Sequence, residues 1–176
     1  PQAEPSLKIT YVQPKDFTGL LRYVRNILVV TIDPTAYTKV SVGYENNVWA
    51  RGQVVVSLKA PNTESIVEYS KTHEKALVDF FVKVEMNRAI EQLQKEYSMV
   101  VMDNLKSDLN VMLNAPANFT YYKDTTDFFW SSNNANTGRM DLIVYTFPYT
   151  DPNTFTEEYL VAKRDSVLKA NLPGSF

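Results

Sequence analysis

The run Val54-Val55-Val56-Ser57-Leu58-Lys59-Ala60-Pro61-Asn62-Thr63 decides the fold. Val54, Val56 and Leu58 point to one face of an extended chain while Ser57 and Lys59 point to the other, the period of two of a half-covered strand. Pro61 ends that strand, and Asn62 or Thr63 caps a helix by accepting a hydrogen bond from first-turn amides. The segment that follows carries Ile66, Tyr69, His73, Leu77, Phe80 and Val84 at three- and four-residue steps. The stripe continues through Leu93, Tyr97, Val101 and Leu105, so the spacing predicts a helical region from about Thr63 to about Leu105, with room for a bend. A strand delivering its chain into a covering helix is the element of an α+β fold.

Upstream, Ile27 to Ile32 is apolar on both faces, as a central strand would be. Further out, the chain resembles itself. Leu7-Lys8-Ile9-Thr10-Tyr11-Val12-Gln13-Pro14-Lys15-Asp16-Phe17-Thr18 reads as a strand, a proline stop and a turn, and Leu109 to Thr120 repeats the pattern with its stop at Pro116. Trp49, Gly52 and Val54-Val55-Val56 find counterparts in Trp130, Gly138 and Leu142-Ile143-Val144-Tyr145. Pro61-Asn62-Thr63 finds its counterpart in Pro152-Asn153-Thr154, ahead of a second helix from about Thr154 to Ala170 that offers Phe155, Tyr159, Leu160, Val167 and Leu168. Matches in one order point to duplication. The expected architecture is an α+β two-layer sandwich: a mainly antiparallel sheet with helices on one face, built from two related strand–hairpin–helix units. Residues 1–106, with the long helical region, form the first unit and residues 107–176 the second, together one compact domain of a longer precursor.

Composition removes most chemistries. The 176 residues suffice for a real core, and 18 Lys and Arg against 20 Asp and Glu leave a net charge of −2. That balance supplies no electrostatic reason to bind nucleic acid. The absence of cysteine excludes disulfides, thiol nucleophiles and thiolate metal sites, and a single histidine excludes a multi-His site. Five scattered glycines form no phosphate loop. No metal and no cofactor is therefore expected. No apolar run approaches the roughly 20 residues of a membrane span. With Pro1 in place of Met, the chain is expected to be a processed or truncated piece of a longer precursor.

The remaining candidates each have a plain structural reading. His73, the default general base, falls on the apolar stripe, which predicts a hydrogen-bonded histidine buried at the core boundary. Asp124 with Asp127, Glu157 with Glu158, and Asp141 with Asp151 are the acid pairs available for glycoside chemistry, but no spacing sets them across a cleft. Lys163-Arg164-Asp165-Ser166 reads as a solvated helix face, and Glu85 with Arg88 as a helix ion pair at i,i+3. Asn118-Phe119-Thr120 has the form of a glycosylation acceptor, yet its counterpart Asp16-Phe17-Thr18 does not, so the shape reads as turn chemistry. Tyr121, Tyr122, Phe128, Phe129 and Trp130 crowd into ten residues. Tyr121, Tyr122 and Trp130 are the candidate ligand platform if exposed. The pairing of Trp130 with Trp49 argues instead for burial of both tryptophans against their own unit's helix.

Pro1-Gln2-Ala3-Glu4-Pro5, Arg25-Asn26-Ile27-Leu28-Val29-Val30, Trp49-Ala50 with Gln53, Glu85 and Arg88 resemble a Bacteroidetes cell-envelope lipoprotein family carrying a domain of unknown function. So do Tyr145-Thr146-Phe147-Pro148-Tyr149-Thr150-Asp151 and Lys163-Arg164-Asp165-Ser166-Val167-Leu168-Lys169, and the resemblance covers essentially the whole chain. It implies a lipoprotein signal on the precursor, an N-terminal lipid anchor as the sole membrane contact, and residence in the cell envelope. It also implies a proximal segment and a C-terminal third beyond this chain. In that setting Asp124-Thr125-Thr126 and Asp165-Ser166-Val167 have the form of O-glycosylation tripeptides. The family brings no activity, cofactor or catalytic residue across. The functional expectation is a non-catalytic ectodomain that binds another envelope protein or glycan. The alternative is a carboxylate-based hydrolase acting on glycan.

Overall fold

The computed structural model describes residues 6–172. It is α+β, and its contacts divide the chain between Glu91 and Gln92 into two units, each a three-stranded sheet with its own helices.

The first unit holds β1 (Asn26–Ile32), β2 (Ser41–Asn46), β3 (Val54–Ala60) and most of α1 (Thr63–Lys95). Val54, Val56, Leu58 and Ala60 are buried on the expected face, Val55 is buried on the other face as well, and Asn62 Oδ1 accepts from the Ser65 amide at 2.8 Å to cap α1. β3 is the central strand, parallel to β1 and antiparallel to β2. The side chains of Asn26, Leu28, Val56 and Tyr44 share one face by register, and α1 lies on it, with Phe80 against Tyr44 at 5.2 Å between ring centroids. Gly52, at φ +75°, turns the chain between β2 and β3, and its amide donates to Asn47 Oδ1 at 2.6 Å. A side chain at that φ would be strained, which is why the turn takes glycine.

In the second unit, α2 (Met99–Leu109) precedes a meander of β4 (Tyr121–Thr125), β5 (Phe128–Ser132) and β6 (Asp141–Tyr145), antiparallel throughout with β5 central. A 3-10 turn (Pro152–Phe155) leads into α3 (Glu157–Asn171). Val101 and Leu105 of α2 pack with Ala115, Phe119 and Phe129 as the core. Ser98 caps α2, its Oγ accepting from the Val101 amide and donating to the Phe119 carbonyl. The opposite face of the sheet belongs to α3: Lys123 Nζ donates to the Asn171 carbonyl at 2.7 Å.

Five expectations need correction. Residues 7–13 pair with no strand, and Leu109 closes α2, with Asn110 in the left-handed conformation at its C-cap. β1 is an edge strand, not a central one. The stripe from Thr63 does not run unbroken to Leu105: α1 ends at Lys95 and α2 starts afresh behind the Ser98 cap. No described residue of α1 is buried, and its backbone leaves helical geometry at His73 (φ −119°, ψ 16°). Finally, the two Pro-Asn-Thr segments are not equivalent. The first is a bend whose Asn62 caps the helix directly, whereas the second is a 3-10 turn inside a capping box closed by Asp151 and Thr154, and Thr156 caps α3. With β3 central in one sheet and β5, the middle strand of its meander, in the other, the two units are wired differently.

Candidate functional site

Tyr121, Tyr122 and Trp130 do not form one platform. Cross-strand register places Tyr121 beside Ser132, and Trp130 between Lys123 and Ile143, on one face of the second sheet. Tyr122 belongs to the other face, where its ring lies 6.4 Å from buried Phe129. Both tyrosines are exposed and Trp130 is half-buried, so the expected burial of Trp130 against a helix is replaced by a different anchoring. Trp130 Nε1 donates to Asp141 Oδ1 at 3.0 Å, and the Arg139 guanidinium sits 6.0 Å from the ring centroid while also bonding Asp141. Burial alone would push the Asp141 carboxyl up, but bonds from Arg139, Trp130 and Ser132 outweigh it and hold the group below the usual range. Trp49 is exposed too and meets Phe17 edge to face at 5.5 Å.

The clearest exposed aromatic surface includes a residue that the sequence assigns to a helical stripe. Tyr149 and Phe155 stack at 5.4 Å and 25°, with 62% and 69% of their surfaces open. They bracket the capping box in which Asp151 Oδ1 accepts from the Asn153 amide at 2.7 Å. Phe147 stacks on Tyr145 and tilts against Tyr159, with Lys163 Nζ over Phe147 at 5.3 Å. A legible signal existed: Asp151-Pro152-Asn153-Thr154 is a capping sequence that closes before Phe155 and leaves it outside the regular helix.

His73 is exposed at the kink, not buried. Its Nδ1 is 3.0 Å from the Tyr69 carbonyl and its ring stacks on Tyr69 at 4.0 Å. None of the three acid pairs weighed in the sequence comes together as a hydrogen-bonded pair in the structure. A different pair does: Asp108, at the end of α2, faces Asp124 of β4. Burial, then the hydrogen bond and charge of Asp108, push the Asp124 carboxyl up, while bonds from Ser107 and Asp124 hold Asp108 down. Two surface depressions, of about 450 and 360 Å³, are each lined by a single helix: Asp165, Ser166, Leu168 and Lys169 in one case, and Thr63, Glu64, Val67, Glu68 and Lys71 in the other. Neither touches the acid pair. Among the described residues no group of three or more His, Asp or Glu side chains is gathered as a metal site would require.

Several polar side chains of the first unit hold its own elements together. Gln53 is 1% exposed; its Nε2 donates to the carbonyls of Arg22 and Val24 at 2.7 Å each, and its Oε1 accepts from the Trp49 amide at 3.0 Å. Arg88 Nη1 donates to Glu85 Oε1 at 2.6 Å and to Asn26 Oδ1 at 2.8 Å, so the expected helix ion pair also ties α1 to the start of β1.

Residues 1–94 match the family model described as domain of unknown function DUF8532. The chain belongs to the DUF8532 family. A second model, domain of unknown function DUF4837, matches residues 98–176. No curated protein and no solved structure matches the chain. The DUF8532 match ends one residue before α1 does, and the DUF4837 match begins at Ser98, the cap of α2. Two different family models over the two halves agree with the different wiring of the two sheets. Asn26, Gln53, Glu85 and Arg88, all within the DUF8532 match, are residues of the polar junctions just described.

Proposed function

We propose that this chain is the non-catalytic ectodomain of a Bacteroidetes cell-envelope lipoprotein, and that it binds another envelope component. The observation that carries the reading is the stacked Tyr149–Phe155 pair, most of whose surface faces solvent. Open aromatic faces beside polar turn residues suit sugar rings or extended apolar peptides, which gain burial without needing a deep pocket. Tyr121 and Trp130, on a single face of the second sheet, extend the aromatic character of that unit. The family resemblance supports an N-terminal lipid anchor, with the protein on the periplasmic side or at the cell surface. No helix among the described residues is long and apolar enough to cross a membrane.

The test is binding of the protein to isolated envelope fragments, comparing Tyr149→Ala/Phe155→Ala with the native chain. Loss of binding at an unchanged melting temperature supports the reading, and prior digestion of the fragments with protease or glycosidase tells protein from glycan. Equal binding by the variant refutes it. The hydrolase alternative has the Asp108–Asp124 pair in its favour, one carboxyl pushed above the usual range and the other held below it. Their closeness counts against it, since glycosidases keep their two carboxyls about 5–9.5 Å apart to admit a sugar or water. Release of reducing ends from envelope glycan, abolished by Asp124→Asn, would restore that alternative.

A further inference from the structure

Strand β1 has an open edge. The Val54 amide donates to the Arg25 carbonyl and the Asp33 amide donates to the Ala60 carbonyl, which sets the phase of the parallel ladder. The odd-numbered residues of β1 therefore bond to β3. Asn26, Leu28, Val30 and Ile32 turn their amides and carbonyls outward, and no described strand meets them. Natural edges are guarded by charge, proline or a bulge. The seven residues of β1 contain neither charge nor proline, and Leu28, Val30 and Ile32 are 45–46% exposed.

We infer that β1 pairs with β1 of a second copy of this chain, antiparallel and centred on Val29, to make a continuous six-stranded sheet. The register follows from the chemistry of the edge. Centring on Val29 sets Leu28 opposite Val30 of the second copy and Asn26 opposite Ile32, so every outward amide and carbonyl of the strand meets a partner. The same register brings Arg25 of each copy opposite Asp33 of the other. Arg25 is exposed over 73% of its side chain and contacts Glu85 only at 3.7 Å, while Asp33 is held ionised by bonds from Thr35 and Ala36. Opposite charges thus flank an uncharged strand in an order that favours antiparallel self-pairing. A parallel pairing would set Arg25 against Arg25. The contact is isologous and closes as a two-fold dimer without leaving a new free edge of β1. It lies in the first unit and is independent of the Tyr149–Phe155 surface.

The chain has no cysteine, so a single introduced thiol reports on register. Val29→Cys places two sulfurs at a non-hydrogen-bonded pair, where Cα atoms sit about 4.5 Å apart and a disulfide forms readily. Mild oxidation should cross-link the Val29→Cys variant and leave the Thr31→Cys variant, whose thiol lies opposite Ile27, unlinked. Sedimentation should show the native chain dimerising with concentration. Val30→Lys, at an exposed position whose amide faces outward, should fold and remain monomeric, and raised salt should weaken the native dimer through the Arg25–Asp33 pairs. A native chain that is monomeric at every concentration overturns the inference. So does equal cross-linking of the Val29→Cys and Thr31→Cys variants, or a Val30→Lys variant that dimerises like the native chain.

Discussion

Gln53→Glu changes one atom of a buried side chain and should cost the first unit heavily. In the native protein Nε2 supplies two hydrogen bonds of 2.7 Å, to the carbonyls of Arg22 and Val24. A carboxylate keeps the acceptor that takes the Trp49 amide but turns a second oxygen toward both carbonyls. Two partly buried acceptors lose their donor, at up to about 1–3 kcal/mol each. Taking the middle of that range for one and the lower end for the other gives about 3 kcal/mol, a large share of the roughly 5–15 kcal/mol that holds a domain folded. The introduced carboxyl answers its burial and the facing carbonyls by taking up a proton, so its folded-state pKa rises above the unfolded value. A raised pKa contributes stability below the unfolded value, near 4.3 for glutamate, and loses it as pH climbs through the folded value. Once protonated, the carboxyl also regains one donor. The deficit should therefore be greatest at pH 8 and shrink by about half at pH 5. Each unit holds one tryptophan, so urea unfolding followed by Trp49 fluorescence in a Trp130→Phe background reads the first unit alone. Identical midpoints at pH 8, or a deficit that does not change between pH 8 and pH 5, would refute the reasoning.

Phe129→Ala empties the core of the second unit and should cost about 3–5 kcal/mol, whereas half-buried Trp130→Ala should cost about 1–2 kcal/mol, both read from urea midpoints. Equal costs would mean that Trp130 packs as core after all. Asp124→Asn should raise stability at pH 7, because a carboxyl with a raised pKa has lost its contribution there and the amide can donate to Asp108 as the protonated acid does. The gain should fade as pH falls below the ordinary aspartate range near 3.9, and a variant no more stable at pH 7 would contradict the raised Asp124 carboxyl.

Where sequence and structure agree, the signal is local. The alternation of Val54, Val56 and Leu58 and the Asn62 cap depend only on neighbours in the chain, and both are present. Val101 and Leu105 are legible as apolar stripe and are fully buried, although on a separate helix from the one expected. The misreadings concern what an element packs against. Ile27 to Ile32 has the composition of a central strand, but composition does not say how many neighbours a strand finds, and β1 finds only β3. His73 sits at stripe spacing, yet it is exposed where α1 leaves helical geometry, and no described residue of that helix is buried. The three aromatic candidates do not gather on one surface for a simpler reason: adjacent residues on a strand face opposite ways, so Tyr121 and Tyr122 turn to different faces. The Tyr149–Phe155 contact is invisible to periodicity because it spans a 3-10 turn that periodicity does not register.

The position of β3 between two strands of opposite direction also bears on the order in which the first unit assembles. β2 and β3 join through a short turn and can close as a hairpin, whereas β1 must reach β3 across the whole of that hairpin and the segment before it. Closing the longer loop costs more chain entropy, so the parallel contact forms after the antiparallel one. The second sheet has no such delay, since both its pairings join consecutive strands. During synthesis, then, the first unit emerges earlier but carries the slower step, and β1 stays an unpaired, uncharged stretch of chain for as long as that step lasts.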